Sequence, residues 1–131
     1  MFDSKMTNHP DIGTEFDWIA SDKEGRIALM STAGYGNCPE NAFQWRDQTD
    51  DTIDWILIES GLENTDLLLA RPEKGVIIYN WTHWHGPYKR KYVPKHCIDR
   101  NAMLENNLPI EAVFSLNVDF LEAEEIPDKI I

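Results

Sequence analysis

Two alternating runs separated by a tight break constrain this chain most. In "EFDWIASDKEGRIALMSTAG", Phe16, Trp18 and Ala20 alternate with Glu15, Asp17, Ile19 and Ser21, the period of two that marks a strand. The break "DKEG" carries turn formers, and Gly25 can take a positive φ there. "RIALMST" then resumes as the returning strand, so the stretch reads as a β-hairpin. The following "AGYGNCPE" holds two glycines and a proline and is expected as a loop.

The remaining elements are read the same way. "PENAFQWRD" allows a helical turn or two started by Pro39. "TDDTIDWILIESG" is the clearest helix, with Thr49 or Asp50 as N-cap and acids in the first turn, where the helix dipole favours them. Ile53, Ile56, Leu57 and Ser60 share one face of it, and Gly61 is a natural stop. "LLLA" reads as strand material, as does "GVIIYNWTHW". After the turn "HGP", "YKRKYV" returns as a second hairpin, with Tyr88, Arg90 and Tyr92 expected on one face. "IDRNAMLENNLPIEA" is expected as short helix and loop, broken at Leu108-Pro109, and "VFSLNVDFLEAEEI" as a final strand. The sum is an α+β fold: a mainly antiparallel sheet of five or six strands, one clear helix and one or two short ones. At 131 residues and 42% hydrophobic, the chain suits one domain with one core, led by a loosely held 1–13 and trailed by an acidic 122–131.

Charge narrows the function classes. The net charge is −11, which disfavours a general nucleic-acid binder, because phosphate contacts need surplus Lys and Arg. It suits a partner that is basic, or simply keeps the chain soluble. Apolar runs fall short of the roughly 20 residues that span a bilayer. The start "MFDSKMTNHPDIG" lacks a signal-peptide pattern, so a cytoplasmic location is expected. Cys38 and Cys97 form no CxxC and are expected as reduced thiols.

Four constellations could carry chemistry. His83 and His85 lie two apart, with His96 and Cys97 beyond the hairpin, but the spacing matches no zinc pattern; hairpin-tip histidines are the plainer reading, and no metal is expected. Cys38 in its glycine-rich loop has no local base that would make it a nucleophile. Lys89, Arg90, Lys91, Lys95 and Arg100 sit near Trp81, Trp84, Tyr88 and Tyr92, the ingredients of a single-strand platform. Pairing with the protein's own acids, or an edge strand guarded by lysines, explains them more simply. Asp47, Asp50, Asp51 and Asp54 recur at three- and four-residue steps, which gathers them on neighbouring helix faces. They are either a solvated, dipole-favoured helix start or a negative patch facing a cationic partner.

"FDWIASDKEGRIALMSTAGYGNCPE", a helix, then "GVIIYNWTHWHGPYKRKYVP" and "NLPIEAVFSLNVDF" resemble a group of small bacterial proteins. Proteins of that group are treated as immunity proteins of polymorphic-toxin and contact-dependent growth inhibition systems. The similarity covers roughly residues 15–120, and its motifs are structural: turns, aromatics and a proline. The resemblance implies a protein without catalysis or cofactor that binds and neutralises a cognate toxin domain, nucleases being common among these. Two surfaces are expected to serve: the helix acids Asp47, Asp50, Asp51 and Asp54, and the hairpin tip with Trp81, His83, Trp84, His85 and Tyr88. Trp84 or Tyr35 would supply buried anchors. The rival reading is a small metal-binding protein or enzyme using His83, His85, His96 and Cys97.

Overall fold

A computed structural model of the chain describes residues 6–11, 13, 15–62, 67–82 and 86–127. The expected first hairpin forms from β2 (Asp17–Ser21) and β3 (Ile27–Ser31), paired antiparallel in the register Asp17↔Ser31 to Ser21↔Ile27. Gly25 takes φ +85° in the turn between them. Before these strands, β1 (Met6–Thr7) pairs with β4 (Cys38–Pro39) in a separate two-stranded ladder. Pro39 is therefore strand, and the helical turn expected to start there begins instead at Ala42–Trp45, as a 3₁₀ turn.

That turn runs straight into α1 (Arg46–Glu59). The helix starts earlier than its acids suggest, so neither Thr49 nor Asp50 caps it; Trp45 holds the cap position and makes no side-chain capping bond. Thr49 and Thr52 instead face inward with Ile56, and Thr52 Oγ1 donates to the Gln48 carbonyl at 3.1 Å. The inner face shared by Ile53, Ile56 and Leu57 is as expected. So is the stop: Gly61 takes φ +75°, Leu62 N–H donates to the Leu57 carbonyl and Gly61 N–H to that of Ile58, which together close a Schellman cap.

"LLLA" is not a strand but one helical turn, α2 (Leu67–Ala70). Four apolar residues are too few for periodicity to separate the two. Next come β5 (Lys74–Gly75) and β6 (Ile77–Trp81), then β7 (Tyr88–Tyr92), antiparallel to β6 as expected for the second hairpin. The register jumps from Tyr79↔Arg90 to Ile78↔Tyr92, leaving Lys91 as an extra residue. This bulge reverses the side-chain alternation. Tyr88 and Tyr92 thus point to opposite faces, not to the shared one expected. After β8 (His96–Cys97), which pairs with β5, come α3 (Arg100–Glu105) and a 3₁₀ turn at Ile110–Ala112. The stretch expected as one final strand splits into β9 (Val113–Ser115) and β10 (Glu125–Ile126).

The main sheet has six strands in the order β10-β7-β6-β3-β2-β9. It is α+β as expected, but the sheet is mixed rather than mainly antiparallel: β3 runs parallel to β6, and β2 parallel to β9. Parallel neighbours need a long crossover. Here α1 lies within the connection from β3 to β6, so the central pair is a βαβ unit.

Both faces of the central strands are covered. On one face Trp18, Met30, Ile77, Tyr79, Trp81 and Tyr88 pack with Leu116, Phe120 and Ile126 from the C-terminal segment. On the other, Ile19, Leu29 and Ile78 meet Ile56 of α1, Leu67 of α2 and Met103 of α3. Two layers of apolar side chains thus sandwich one sheet, as domain cores require.

Candidate functional site

The inner face of α1 is used up by the core, so its acids are left to the outside. Asp47, Asp50, Asp51 and Asp54 are all exposed, the Asp47 side chain to 88%. Residues three and four apart on a helix are neighbours. Partial desolvation, and then the charges of Asp47, Asp54 and Asp51, push the Asp50 carboxyl above its ordinary range, against a smaller opposing pull from Arg46. The one cation in the group is loosely held: Arg46 Nε lies 3.9 Å from Asp47 Oδ1, with both side chains exposed. Among the described residues no ion pair reaches Asp50, Asp51 or Asp54. Ile58, one turn after Asp54, is 73% exposed and sets an apolar residue at the end of the acidic stripe, a feature the sequence pattern gave no reason to single out.

The hairpin surface fares differently. Trp81 is 4% exposed and Tyr88 fully buried. They sit opposite each other in the β6–β7 register with their rings edge to face, 5.0 Å between centroids. The Trp81 indole also fills the space beside Gly36 and Gly86, where an added Cβ would fall 2.7 and 2.5 Å from its ring carbons. Both residues belong to the core, and the pleat turns their side chains inward. His83, Trp84 and His85 lie outside the described residues.

The thiols are withdrawn from solvent to different degrees, and two of the basic residues are tied to the C-terminal segment. Cys38 is buried, and loss of solvent raises its thiol to about 11, far from a nucleophile's range. Cys97, half-buried, is also raised, chiefly by desolvation, against the lowering charge of Arg26. Both cysteines are free, and among the described residues no three His, Cys, Asp or Glu side chains gather as a metal would need. His96 is exposed at the β8 edge. In the basic segment, Arg90 donates to the carbonyls of Phe120 and Leu121 at 2.7 and 3.0 Å, and Lys89 lies 3.7 Å from Glu125. These two tie β7 to the C-terminal segment.

Among the described residues, concave regions flank the sheet. A cleft of about 710 Å³ opens between the β2–β3 turn and α3, lined by Lys23, Glu24, Arg100, Asn101, Ser115 and Asn117. Asp22 at its floor is already engaged, accepting from the N–H groups of Glu24, Arg26 and Phe120 and from the Arg26 guanidinium. A smaller groove of about 350 Å³ runs beside α1, over the ends of β2, β3 and β6. Its apolar wall includes Leu29, Ile53, Leu57 and Ile78, and its polar groups are Glu15, Asp17, Ser31 and Asn80.

Compared with known proteins, the chain matches no family model, and no curated protein or solved structure is significantly similar to it. Among the described residues no helix is long and apolar enough to cross a membrane.

Proposed function

We propose that this chain is an immunity protein: a binding protein without catalysis that neutralises a cognate toxin domain by covering its cationic surface with α1. The observation that carries the reading is the row Asp47, Asp50, Asp51 and Asp54, exposed on one helix face, with no ion pair at Asp50, Asp51 or Asp54 among the described residues. Partial desolvation first, and then the neighbouring like charges, raise the protonation tendency of Asp50, and the charge repulsion is relieved when a cationic partner arrives. Such a patch speeds encounter by electrostatic steering, while an apolar neighbour such as Ile58 supplies a contact that excludes water. A nuclease domain, whose substrate path is basic, is the toxin class this surface suits best.

The test begins with capture of the partner by the intact protein from a toxin-bearing strain. Association is then timed for the natural chain and for Asp50→Lys/Asp51→Lys/Asp54→Lys. Steering predicts an on-rate lower by about tenfold or more, with a weaker dependence on salt. An unchanged on-rate together with unchanged protection against the toxin would remove α1 as the binding face.

A further inference from the structure

We infer that the groove beside α1 seats one arginine side chain of the protein partner, an inference that rests on the binding role proposed above. Its floor is built by strand register. Asp17 of β2 pairs with Ser31 of β3, and Ser31 pairs with Asn80 of β6, so three polar side chains form a row across three adjacent strands. One pleat further in, the matching row is Ile19, Leu29 and Ile78, which is core. The sheet's inner face thus changes from apolar to polar beside α1, and the polar row lines the groove.

Three observations select the occupant. Asp17, Ser31 and Asn80 are each half-buried, and no described side chain hydrogen-bonds to Ser31 Oγ or to the Asn80 amide. Half-buried polar groups of this kind favour a ligand that can bond to them. Glu15 and Asp17 bring carboxylates to the groove, and the aspartates of α1 stand on the same helix that walls it. At about 350 Å³ the groove lies at the lower end of the range for ligand pockets, too small for a secondary-structure element but fit for one long side chain.

Arginine matches this chemistry better than lysine. Its planar guanidinium has five donors in a fixed fork, which serve Ser31 Oγ and Asn80 Oδ1 in a groove that Glu15 and Asp17 also line. Its methylene stem would lie on Leu29, Ile53, Leu57 and Ile78. Position agrees as well: Ser31 ends β3 and Asn80 lies near the end of β6, and the crevice at the carboxyl ends of parallel strands is where α/β sheets bind ligands.

The test uses the full chain and N-acetyl-arginine amide as probe, followed by amide chemical shifts. Shifts are expected at Leu29, Ser31, Ile53, Ile78 and Asn80. The response should be roughly tenfold or more weaker for the uncharged citrulline analogue, which lacks the charge-assisted bonds. Ser31→Leu should abolish it by filling the groove, and Asn80→Ala should weaken it without adding bulk, with thermal unfolding confirming that each variant is folded. Shifts confined to Asp50, Asp51 and Asp54, or equal shifts from citrulline, would overturn the inference. If a toxin is captured and its association depends on α1, but its dissociation is unchanged in both groove variants, the arginine seat fails while the binding role stands. If no toxin is captured but the arginine probe shifts the groove, the seat stands and the immunity role fails.

Discussion

Trp18 Nε1 donates a hydrogen bond to the Tyr88 hydroxyl at 3.0 Å, linking two strands that are not neighbours in the sheet. The Tyr88 hydroxyl in turn donates to the Asn37 carbonyl, so one buried oxygen ties β2, β7 and the loop before β4 together. Tyr88→Phe keeps the edge-to-face ring contact with Trp18, 5.8 Å between centroids, but leaves the indole N–H and the carbonyl without this partner. A buried polar group left unsatisfied costs about 1–3 kcal/mol. The variant should therefore unfold at lower urea, with tryptophan fluorescence as the signal. A midpoint equal to that of the natural chain would show that water replaces the hydroxyl.

Asp22 should be the most sensitive acidic residue. Its carboxylate is fully buried, lies 3.0 Å from the Arg26 guanidinium and accepts three backbone N–H groups. Asp22→Ala strands those donors and one side of Arg26, a loss of about 3–5 kcal/mol when a buried pair is broken. Asp119→Ala removes the more exposed partner, 3.1 Å from the same guanidinium, and should cost roughly 1 kcal/mol or less. Urea unfolding of both variants checks the ranking; equal losses would contradict it.

Alkaline pH should destabilise the fold through Cys38. Its thiol rises from 9.0 to about 11 on folding because burial penalises the thiolate. Between those values the unfolded chain releases a proton that the folded chain keeps, so stability is full below about 9 and is lost as pH rises toward 11. At about 1.4 kcal/mol per unit, the Cys38 contribution to that loss is roughly 2–3 kcal/mol. Tyr79 and Tyr88, both raised chiefly by burial, steepen the fall further up the scale. Unfolding curves at pH 8, 9, 10 and 11 for the natural chain and Cys38→Ala should converge in slope only below pH 9. Parallel curves throughout would refute the assignment.

Both hairpins could be read from the sequence, because alternation and turn residues are local signals. "DKEG" places the first turn and Gly61 the end of α1. The pairing of β3 with β6 could not be, since period two says which way a side chain points and not which strand lies beside it. The bulge at Lys91 was invisible for a related reason: it depends on what opposes β7, and it sent Tyr92 to the far face. Alternation did place Trp81 with Ile77 and Tyr79 on one side of β6, but it could not say that both sides of that strand are covered. The α1 acids were legible as a group from their spacing alone. The polar row Asp17, Ser31, Asn80 was not, because it is assembled by register between three strands distant in sequence.

The C-terminal segment supplies both outermost strands of the main sheet. β9 lies beside β2 at one end and β10 beside β7 at the other, and the residues between them cross the face that holds Trp18 and Tyr79. All other strands of that sheet are synthesised before either border exists. Until residues 113–126 leave the ribosome, the nascent sheet presents two open margins of unpaired backbone and an uncovered aromatic layer. Folding must therefore finish after most of this region has been made, and the interval before closure is when the chain is most open to misassociation.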